Sequence, residues 1–430
     1  MKTLAKQITS HSSYSRVVEW SKLISITGSA QIAIQALSLL SGIFVIRLLP
    51  TKEYALYTLA NTMLGTITVI ADGGIATGVM TLGGKVWQSE EQLGAVIATG
   101  LDLRKRFAAI VLLFAVPILL YLLYHHSHNW LLSGLIVASL IPAFFSALSG
   151  TLLEIAPRLH QDIKSLQKIE VGASLGRLLL MVATLFFFPF ASIAILSAGL
   201  PQILANRQLR KISTIYASWS QPPVVAIQKD IMPIVKRVLP GALYYCVSGQ
   251  ITIWLISFYG STESVAQVGA LGRLTMILNV FSTVCYTLIV PRFARLAADR
   301  KLVLSRFMQV QLLIFGVSGL IIASISIFPS QVLLLLGKNY SNLTAEIVLM
   351  TISGCISMAG GITYSMSVAR GKIIPPALNI SINILSQVIL IYFLDLSKIT
   401  NIILFSIANS GIAYILMIIY FILYTPNQKS

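Results

Sequence analysis

The sequence predicts an all-α polytopic membrane protein with about 12 transmembrane helices. Of its 430 residues, 56% are apolar and only 10% are charged, and the mean hydropathy is +0.84. A water-soluble domain usually carries about 25% charged residues, so this chain cannot cover its own surface with polar groups. The stretch from Leu23 to Ile46 contains no charged residue and is longer than the roughly 20 residues needed to cross a bilayer.

The apolar stretches predict where the helices cross the membrane. A window of about 20 residues separates twelve of them. The predicted spans are 25–46, 54–77, 107–124, 130–152, 171–188, 190–206, 238–259, 266–290, 307–328, 345–369, 374–394 and 399–424. The fifth and sixth spans meet at the sequence FFFPFAS, which predicts a very tight hairpin because proline tends to end a helix at the preceding residue.

The basic residues predict the orientation of these spans. With a cytoplasmic N-terminus, 25 of the 31 Lys and Arg residues fall on the inner side and two fall inside spans. The four on the outer side are Arg47, Lys52, Lys338 and Lys398. This split is a strong positive-inside bias, so both termini are predicted to be cytoplasmic. Topology and anionic lipid therefore explain the net charge of +17 better than nucleic acid does.

The predicted spans divide six and six around a basic polar connector. The predicted regions are an amphipathic cytoplasmic segment 1–22, a six-helix unit 23–206, a turn-rich cytoplasmic linker 207–237, a second six-helix unit 238–424 and a tail 425–430. The sequence of the hairpin that follows Leu49 is weakly similar to that of the hairpin that follows Phe258. Two similar halves are common in transporters that work by alternating access.

Signatures of bond-breaking chemistry are missing from the sequence. GVMTLGGKVW lacks the glycine spacing and the Ser or Thr of a phosphate-binding loop, and no HExxH, paired CxxC or GxSxG occurs. The three cysteines lie in apolar stretches and predict core packing without disulfides. HHSH, from His125 to His128, is predicted in an outer loop, where an interfacial role is favoured over a metal site. The sequence predicts neither an enzyme nor a cofactor.

Charged residues within or beside the spans are the first candidate site residues, because charges at membrane depth are costly. Arg273, Arg177 and Arg47 are candidates for binding an acidic or phosphate-bearing substrate, since the arginine fork suits phosphate. The alternative for each is that the side chain snorkels to the headgroups. Asp72 and Glu154, near inner helix ends, are candidates for ion coupling, with a polar contact at the helix end as the favoured alternative.

Uncharged polar residues form two stripes at helical spacing. The stripe in the first span consists of Thr27, Gln31, Gln35 and Ser38. The stripe in the eleventh span consists of Asn379, Asn383 and Gln387. Lipid offers amides no partner, so the stripes either bond to neighbouring helices or line a hydrophilic cavity suited to sugar. The amides of both stripes are candidate substrate-binding residues.

The segment RLLPTKEYALYTLANTMLGTITVIADGGIATGV resembles the first signature of the polysaccharide (O-antigen) flippases, within the multidrug/oligosaccharidyl-lipid/polysaccharide exporter superfamily. The matching positions are Arg47, Leu49, Pro50, Glu53, Ala55, Tyr57, Asp72 and Gly73. VGALGRLTMI, IVPRFARL and VARGKIIPPALNISINILSQVIL resemble later segments of the family in the same order. Ala55 and Gly269 depart from the family pattern, which usually has Gly at the first position and often Tyr at the second.

The resemblance implies two pseudo-symmetric six-helix bundles around a central cavity, in a bacterial inner (cytoplasmic) membrane. It implies a flippase that moves a polyprenyl-diphosphate-linked oligosaccharide from the cytoplasmic to the outer leaflet by rocking of the two halves. The cargo, membrane lipids and the polysaccharide polymerase machinery are the expected partners. Coupling to a proton or sodium gradient is left open.

Two other functions remain as alternatives at this point. The first is an ion-coupled drug or metabolite exporter of the same superfamily, which would favour a buried carboxylate at mid-membrane. The second is a membrane-embedded glycosyltransferase or polymerase, which commonly carries large extramembrane loops. The predicted outer loops here are short.

Overall fold

The computed structural model describes residues 28–275, 277–294, 296, 299–370 and 374–424, and all its regular structure in these ranges is helical. The predicted segments 1–22 and 425–430 lie outside the described residues. In chain order the helices are α1 Gly28–Leu48, α2 Thr51–Asp72, α3 Ile75–Val86, α4 Glu90–Ser127, α5 Trp130–Leu153, α6 Ile155–Leu159, α7 Ile163–Phe187, α8 Ala191–Tyr216, α9 Val225–Tyr259, α10 Thr262–Leu274, α11 Ile277–Val284, a π-helical turn Cys285–Ile289, α12 Val290–Ala294, α13 Arg300–Ile327, α14 Pro329–Leu334, a 3₁₀ turn Lys338–Tyr340, α15 Thr344–Ala369, α16 Pro376–Phe393 and α17 Ile399–Leu423.

The all-α membrane fold is confirmed, with fewer strongly apolar spans than predicted. Ten helices of the described chain are long and apolar enough to cross a bilayer, and α9 makes eleven if its two parts, bent by 42°, count as one span. The predicted span 190–206 is the first part of α8. This helix is long, but Gln202, Asn206 and Arg207 shorten its apolar stretch.

Helix bounds differ from the predictions mainly at the end that carries the basic residues. α4 begins at Glu90 rather than 107, and α3 continues the chain beyond Asp72 as a separate short helix. The predicted linker 207–237 is mostly helical, because α8 runs to Tyr216 and α9 starts at Val225. A hydropathy window misses these segments because polar residues here extend apolar helices beyond the bilayer.

Two predicted hairpins are confirmed. α1 and α2 are joined by residues 49–50, and Pro50 precedes the first residue of α2. α7 and α8 are joined by residues 188–190, with Pro189 between the helices. We call the end of the bundle that carries Thr51 the outer end and the opposite end the inner end, after the orientation that the charge bias predicts.

A buried arginine ties three helices together at the inner end. Arg104 of α4 is 3% exposed and donates to a carboxylate oxygen of Asp72, the last residue of α2. It also donates to the backbone oxygen of Leu148 and, at 2.6 Å, to the hydroxyl of Thr151, both in α5. Because lipid offers no partner to such a charge, this network fixes α2, α4 and α5 relative to one another.

α9 belongs to both halves of the molecule. Its inner part packs on the N-terminal half, where Ile231 faces Gly78 and Val238 faces Gly74 so closely that neither glycine has room for a side chain. Its outer part packs against α10 and α17. The chain reaches α9 through a short connector, residues 217–224, which is held by a hydrogen bond of 2.9 Å from the amide of Ser218 to the carbonyl of Glu90.

The two halves meet directly at the outer end. α2 packs against α10, and a Cβ atom at Gly269 would lie 2.6 Å from the Thr58 side chain. His126, at the end of α4, bonds at 2.9 Å to the Thr262 hydroxyl and at 3.0 Å to that of Ser257. These contacts close the outer end. The small residue at 269, where the resembled family often has Tyr, is what lets α10 approach α2.

The connector supplies a test of the packing. Gly94 of α4 is buried, and a Cβ atom there would lie 2.0 Å from the carbonyl oxygen of Ser218. We expect Gly94→Ala to destabilise the protein by about 1–3 kcal/mol, because the connector must move. Thermal unfolding of the detergent-solubilised protein measures the loss.

Gly84→Ala is the matched control for this prediction. Gly84 is exposed within α3, and its nearest neighbour to an added Cβ atom is 3.9 Å away. This substitution should be neutral or stabilising by up to about 1 kcal/mol, since alanine favours a helix. Equal melting temperatures for the two variants would contradict the described packing of the connector.

Candidate functional site: a central polar cavity

A cavity of about 810 Å³ lies between the two halves. The N-terminal half contributes residues of α1 and α2, and the C-terminal half contributes residues of α9, α10, α11, α15 and α17. The contact of α2 with α10 borders the cavity, because Thr58 and Gly269 are both lining residues. A movement of one half relative to the other at this contact would therefore change how open the cavity is.

Hydroxyl and amide side chains dominate the lining. Of the 26 described lining residues, fifteen carry a hydroxyl or an amide, five are glycine and five are apolar. The remaining one is Arg273, and no carboxylate is among them. The fifteen are Gln35, Tyr54, Thr58, Asn61, Thr62, Gln250, Thr252, Thr275, Asn279, Ser282, Thr283, Tyr286, Ser353, Ser357 and Ser406. Such a surface suits a ligand that combines an uncharged, hydroxyl-rich part with a negatively charged part.

Arg273 is held at the border of this cavity by aromatic residues of the other half. It lies in the last turn of α10, and its guanidinium interacts with the side chains of Tyr54 and Tyr57 of α2. Its aliphatic part is close to α1, since a Cβ atom at Gly42 would lie 3.2 Å from the Arg273 Cδ atom. In α10 the residue is three turns from the outer end.

Arg177 approaches the same point from the N-terminal half. It interacts electrostatically with both Tyr57 and Arg273. Its Nε atom is buried and has no hydrogen-bond partner among the described residues. The structure thus brings two arginines from different halves to one tyrosine, although Arg177 itself is not a lining residue of the cavity. Arg177 lies fourteen positions after Ile163, the first residue of α7, and therefore about four turns from the inner end.

The amides of α1 have different surroundings. Gln35 lines the cavity. Gln31 lies one turn nearer the inner end, where its Nε2 atom is 3.5 Å from a carboxylate oxygen of Glu170 in α7. Thr27, the first member of the predicted stripe, lies outside the described residues.

The amides of α16 face a second cavity inside the C-terminal half. Asn379 and Asn383 are buried and line this cavity, and the Asn383 amide donates at 3.0 Å to the Asn379 side chain. Gln387 donates at 2.9 Å to Ser248 and at 3.2 Å to Asn409. It therefore links α16 to α9 and α17, which is the interhelical role that the sequence left open.

Arg47 does not reach either cavity. It is exposed at the outer end of α1, where its Nε atom donates at 2.8 Å to the carbonyl oxygen of Leu335. A second hydrogen bond runs to the carbonyl oxygen of Leu334. Carbonyls at the C-terminus of a helix lack partners within it, so Arg47 caps α14 and joins the two halves at the outer end.

The two candidate coupling carboxylates are both paired with arginine. Asp72 accepts from Arg104 and, at 3.1 Å, from the amide of Ala76. Glu154 pairs at 2.6 Å with Arg158, one helical turn further on. Neither lines the central cavity. These contacts correspond to the favoured alternative, a polar interaction at a helix end.

Sequence reasoning missed several residues of the site. A polar face of α2 supplies Tyr54, Thr58, Asn61, Thr62 and Gly65 to the cavity. Their spacing is helical, so the same test that found the stripe in α1 would have found this one. The sequence does not show that Tyr54 and Tyr57 hold Arg273, because aromatic residues in a span usually serve in helix packing.

HHSH does not form an outer loop as predicted. His125 and His126 lie in the last turn of α4, and His128 ends that helix in a left-handed conformation. His126 is buried by its bonds to Ser257 and Thr262. In the described part of the chain, no three His, Cys, Asp or Glu residues are grouped so that they could hold a metal ion.

Solved structures of MATE transporters share this fold. An inward-facing multidrug resistance MATE family transporter of the MOP superfamily superposes with a TM-score of 0.69 at 14% identity, covering 92% of this chain and 96% of that chain. An outward-facing one gives 0.60 at 14% identity, covering 93% and 94%. A mutant of the Vibrio cholerae MATE transporter VcmN gives 0.58 at 15% identity, covering 96% and 97%.

Comparison of the sequence with protein-family models and with curated proteins gave no match. The structural likeness therefore establishes the fold alone: a multi-pass helical membrane protein built from two pseudo-symmetric halves, as the sequence analysis expected.

The pairing of Asp72 predicts a structural effect of mutation. Asp72→Asn leaves the buried Arg104 without a counter-charge, so we expect a loss of about 3 kcal/mol or more in the free energy of unfolding. Glu154→Gln is the matched control, because Arg158 is half exposed and such a pair contributes about 0–1 kcal/mol.

Thermal unfolding and transport per folded molecule distinguish the two roles of Asp72. A structural role predicts a lower melting temperature with transport per folded molecule retained. An unchanged melting temperature together with lost transport would instead identify Asp72 as a coupling group.

Proposed function

We propose that this protein is a flippase that moves a polyprenyl-diphosphate-linked oligosaccharide, an O-antigen or capsule-type repeat unit, across a bacterial inner membrane. The observation that carries the proposal is the chemistry of the central cavity. Its described lining combines many hydroxyl and amide groups with one arginine and no carboxylate. A cargo that is neutral and hydroxyl-rich along the sugar and anionic at the diphosphate matches both features.

The diphosphate is proposed to bind where the two arginines approach each other. Arg273 and Arg177 come from different halves and both interact with Tyr57. Two guanidinium groups so close together repel each other, and a bound diphosphate would relieve that repulsion through charge-assisted hydrogen bonds. The sugar would then contact the amides and hydroxyls, while the polyprenyl chain stays in the bilayer.

Transport is proposed to proceed by alternating access, with the two halves rocking against each other. The outer end is closed by the contact of α2 with α10 and by the bonds of His126. At the inner end the halves are joined through α9. This arrangement is consistent with a cavity that receives cargo from the inner side, with both termini in the cytoplasm.

The rival functions find less support in the described residues. An exporter of cationic drugs would favour a carboxylate in the cavity, and its described lining has none. An embedded glycosyltransferase or polymerase would favour clustered carboxylates or histidines, and the described lining of the cavity contains neither residue type. We propose no enzymatic activity, cofactor or nucleic-acid partner; the polymerase machinery is a proposed partner, and coupling to a proton or sodium gradient is proposed.

A deletion strain tests the function. We expect lipid-linked repeat units to accumulate on the inner leaflet and surface polysaccharide to be lost, because nothing else would carry the cargo across. Extraction of lipid-linked sugars and staining of surface polysaccharide measure both effects. Normal surface polysaccharide combined with raised drug sensitivity would favour the exporter.

Arg273 tests the binding mode. We expect Arg273→Ala to lower transport at least about 100-fold with normal protein level, since a charge-assisted contact contributes about 1.5–3 kcal/mol and here two phosphates are contacted. Arg273→Lys should retain part of the activity because the charge remains. Complementation of the deletion strain measures transport.

Arg306→Ala is the control for both variants, because Arg306 is exposed and donates at 2.8 Å to Gln309, one turn further along the same helix. It should behave as the wild type. Full complementation by Arg273→Ala would remove Arg273 from the site.

A further inference from the structure

The second cavity is a side chamber of the central one. It measures about 410 Å³ and lies inside the C-terminal half, between α9, α15, α16 and α17. Gly249 and Ser357 line both cavities, so the two spaces adjoin at these residues. We call this space the side cavity.

Its lining has an unusual composition for the interior of a helical membrane protein. Three asparagines, Asn379, Asn383 and Asn409, share it with the rings of Tyr244, Tyr364 and Tyr414. No charged residue is among its described lining residues. The contrast with the groove between α7 and α8 is clear, because that groove is lined by Gly, Ala, Leu, Ile and Pro with a single Gln, as expected for a surface filled by lipid.

This composition matches the chemistry of a sugar ring. An amide both donates and accepts hydrogen bonds, so asparagines can pair with neighbouring hydroxyls that each do the same. Aromatic rings offer a flat apolar face to the C–H face of a pyranose. The absence of charge in the described lining favours a neutral ring over the diphosphate.

A second layer of hydrogen bonds holds these groups in place. The Tyr414 hydroxyl donates at 2.5 Å to Gln311, which does not line the side cavity and donates in turn at 2.9 Å to Thr363. Gln387, which also does not line the side cavity, donates hydrogen bonds to the lining residues Asn409 and Ser248. Gln311 and Gln387 thus hold lining groups by hydrogen bonds from outside the side cavity, and the asparagines and tyrosines of the lining border about 410 Å³ of space, within the range of ligand pockets.

We infer that the side cavity binds one uncharged sugar ring of the cargo and thereby selects which oligosaccharide the protein accepts. This inference rests on the proposed function. A diphosphate at Arg273 lies in the central cavity, and the oligosaccharide attached to it can enter the side cavity past Gly249 and Ser357. The diphosphate would then supply affinity common to all such cargo, and the side cavity would supply specificity.

Binding to the purified full-length protein in detergent tests the inference with two probes. The first is the oligosaccharide lipid extracted from the deletion strain, and the second is bare polyprenyl diphosphate. We expect the wild type to bind the first about tenfold more tightly or better, since two or three added hydrogen bonds contribute about 0.5–1.5 kcal/mol each.

Filling the side cavity should remove that preference. Gly360 lines the side cavity, and an added Cβ atom there would lie 4.0 Å from Tyr414. Gly360→Leu should weaken binding of the oligosaccharide lipid by most of the tenfold and leave bare polyprenyl diphosphate within about twofold. The control is Gly411→Leu in α17, where an added Cβ atom has no neighbour within 4 Å and which lines neither the central nor the side cavity.

A second pair of variants guards against misfolding of Gly360→Leu. Tyr364→Ala should lose the preference and Tyr364→Phe should keep it, because the ring provides the contact. Tyr392→Ala, at a tyrosine that is 84% exposed and lines neither the central nor the side cavity, should match the wild type.

The outcomes separate this inference from the proposed function. A wild type that binds both probes equally, or side-cavity variants that lose both probes together, would overturn the inference and leave the flippase proposal standing. A wild type that binds neither probe would contradict the proposed function and the inference with it.

Discussion

The absence of water from the bilayer interior is the constraint on which this structure depends. A polar side chain at that depth has to find its partner within the protein. The chain follows this rule in two ways. Some groups find partners on neighbouring helices, as the two terminal nitrogens of Arg104 do with Asp72, Thr151 and the backbone of α5, and others converge on shared internal space. The central cavity exists because hydroxyls and amides of both halves face one another instead of lipid.

The division between paired and converging groups separates scaffold from site. Arg47, Asp72 and Glu154 each have a local partner that accounts for them. Arg273 and Arg177 instead approach one tyrosine between the halves, and neither has a carboxylate partner among the described ion pairs. Like charges held close together in a medium of low polarity are unfavourable unless an anion joins them.

Hydropathy and charge bias were sufficient to predict the helical class, most of the spans and the two tight hairpins. They placed helix ends poorly wherever a helix continues past the bilayer, as α4 and α8 do, because the apolar signal stops before the helix does. The start of α3 as a separate helix was also missed. Gly73 and Gly74 adopt left-handed conformations directly after α2 and interrupt the helix there. The composition of an apolar segment does not record such a break.

The site was predicted in part. Periodicity predicted that Gln35, Asn379 and Asn383 face protein or water rather than lipid, and the rarity of intramembrane charge made Arg273 a candidate; the structure places all four in the lining of a cavity. The sequence did not separate Arg47 from the other arginines, because the carbonyls that it caps lie almost 290 residues further along the chain. Pairing between distant segments is set by tertiary packing, which one sequence does not encode in any local pattern.

The bend in α9 has a geometric consequence. The part of α9 before the 42° bend packs on the N-terminal half, and the part after it packs against α10 and α17 and also bonds to His126 of α4. Along α9 the halves are joined by continuous backbone, so a rotation of one half relative to the other would leave them in contact there. Separation of the halves at the inner end would therefore be widest at the edge opposite α9.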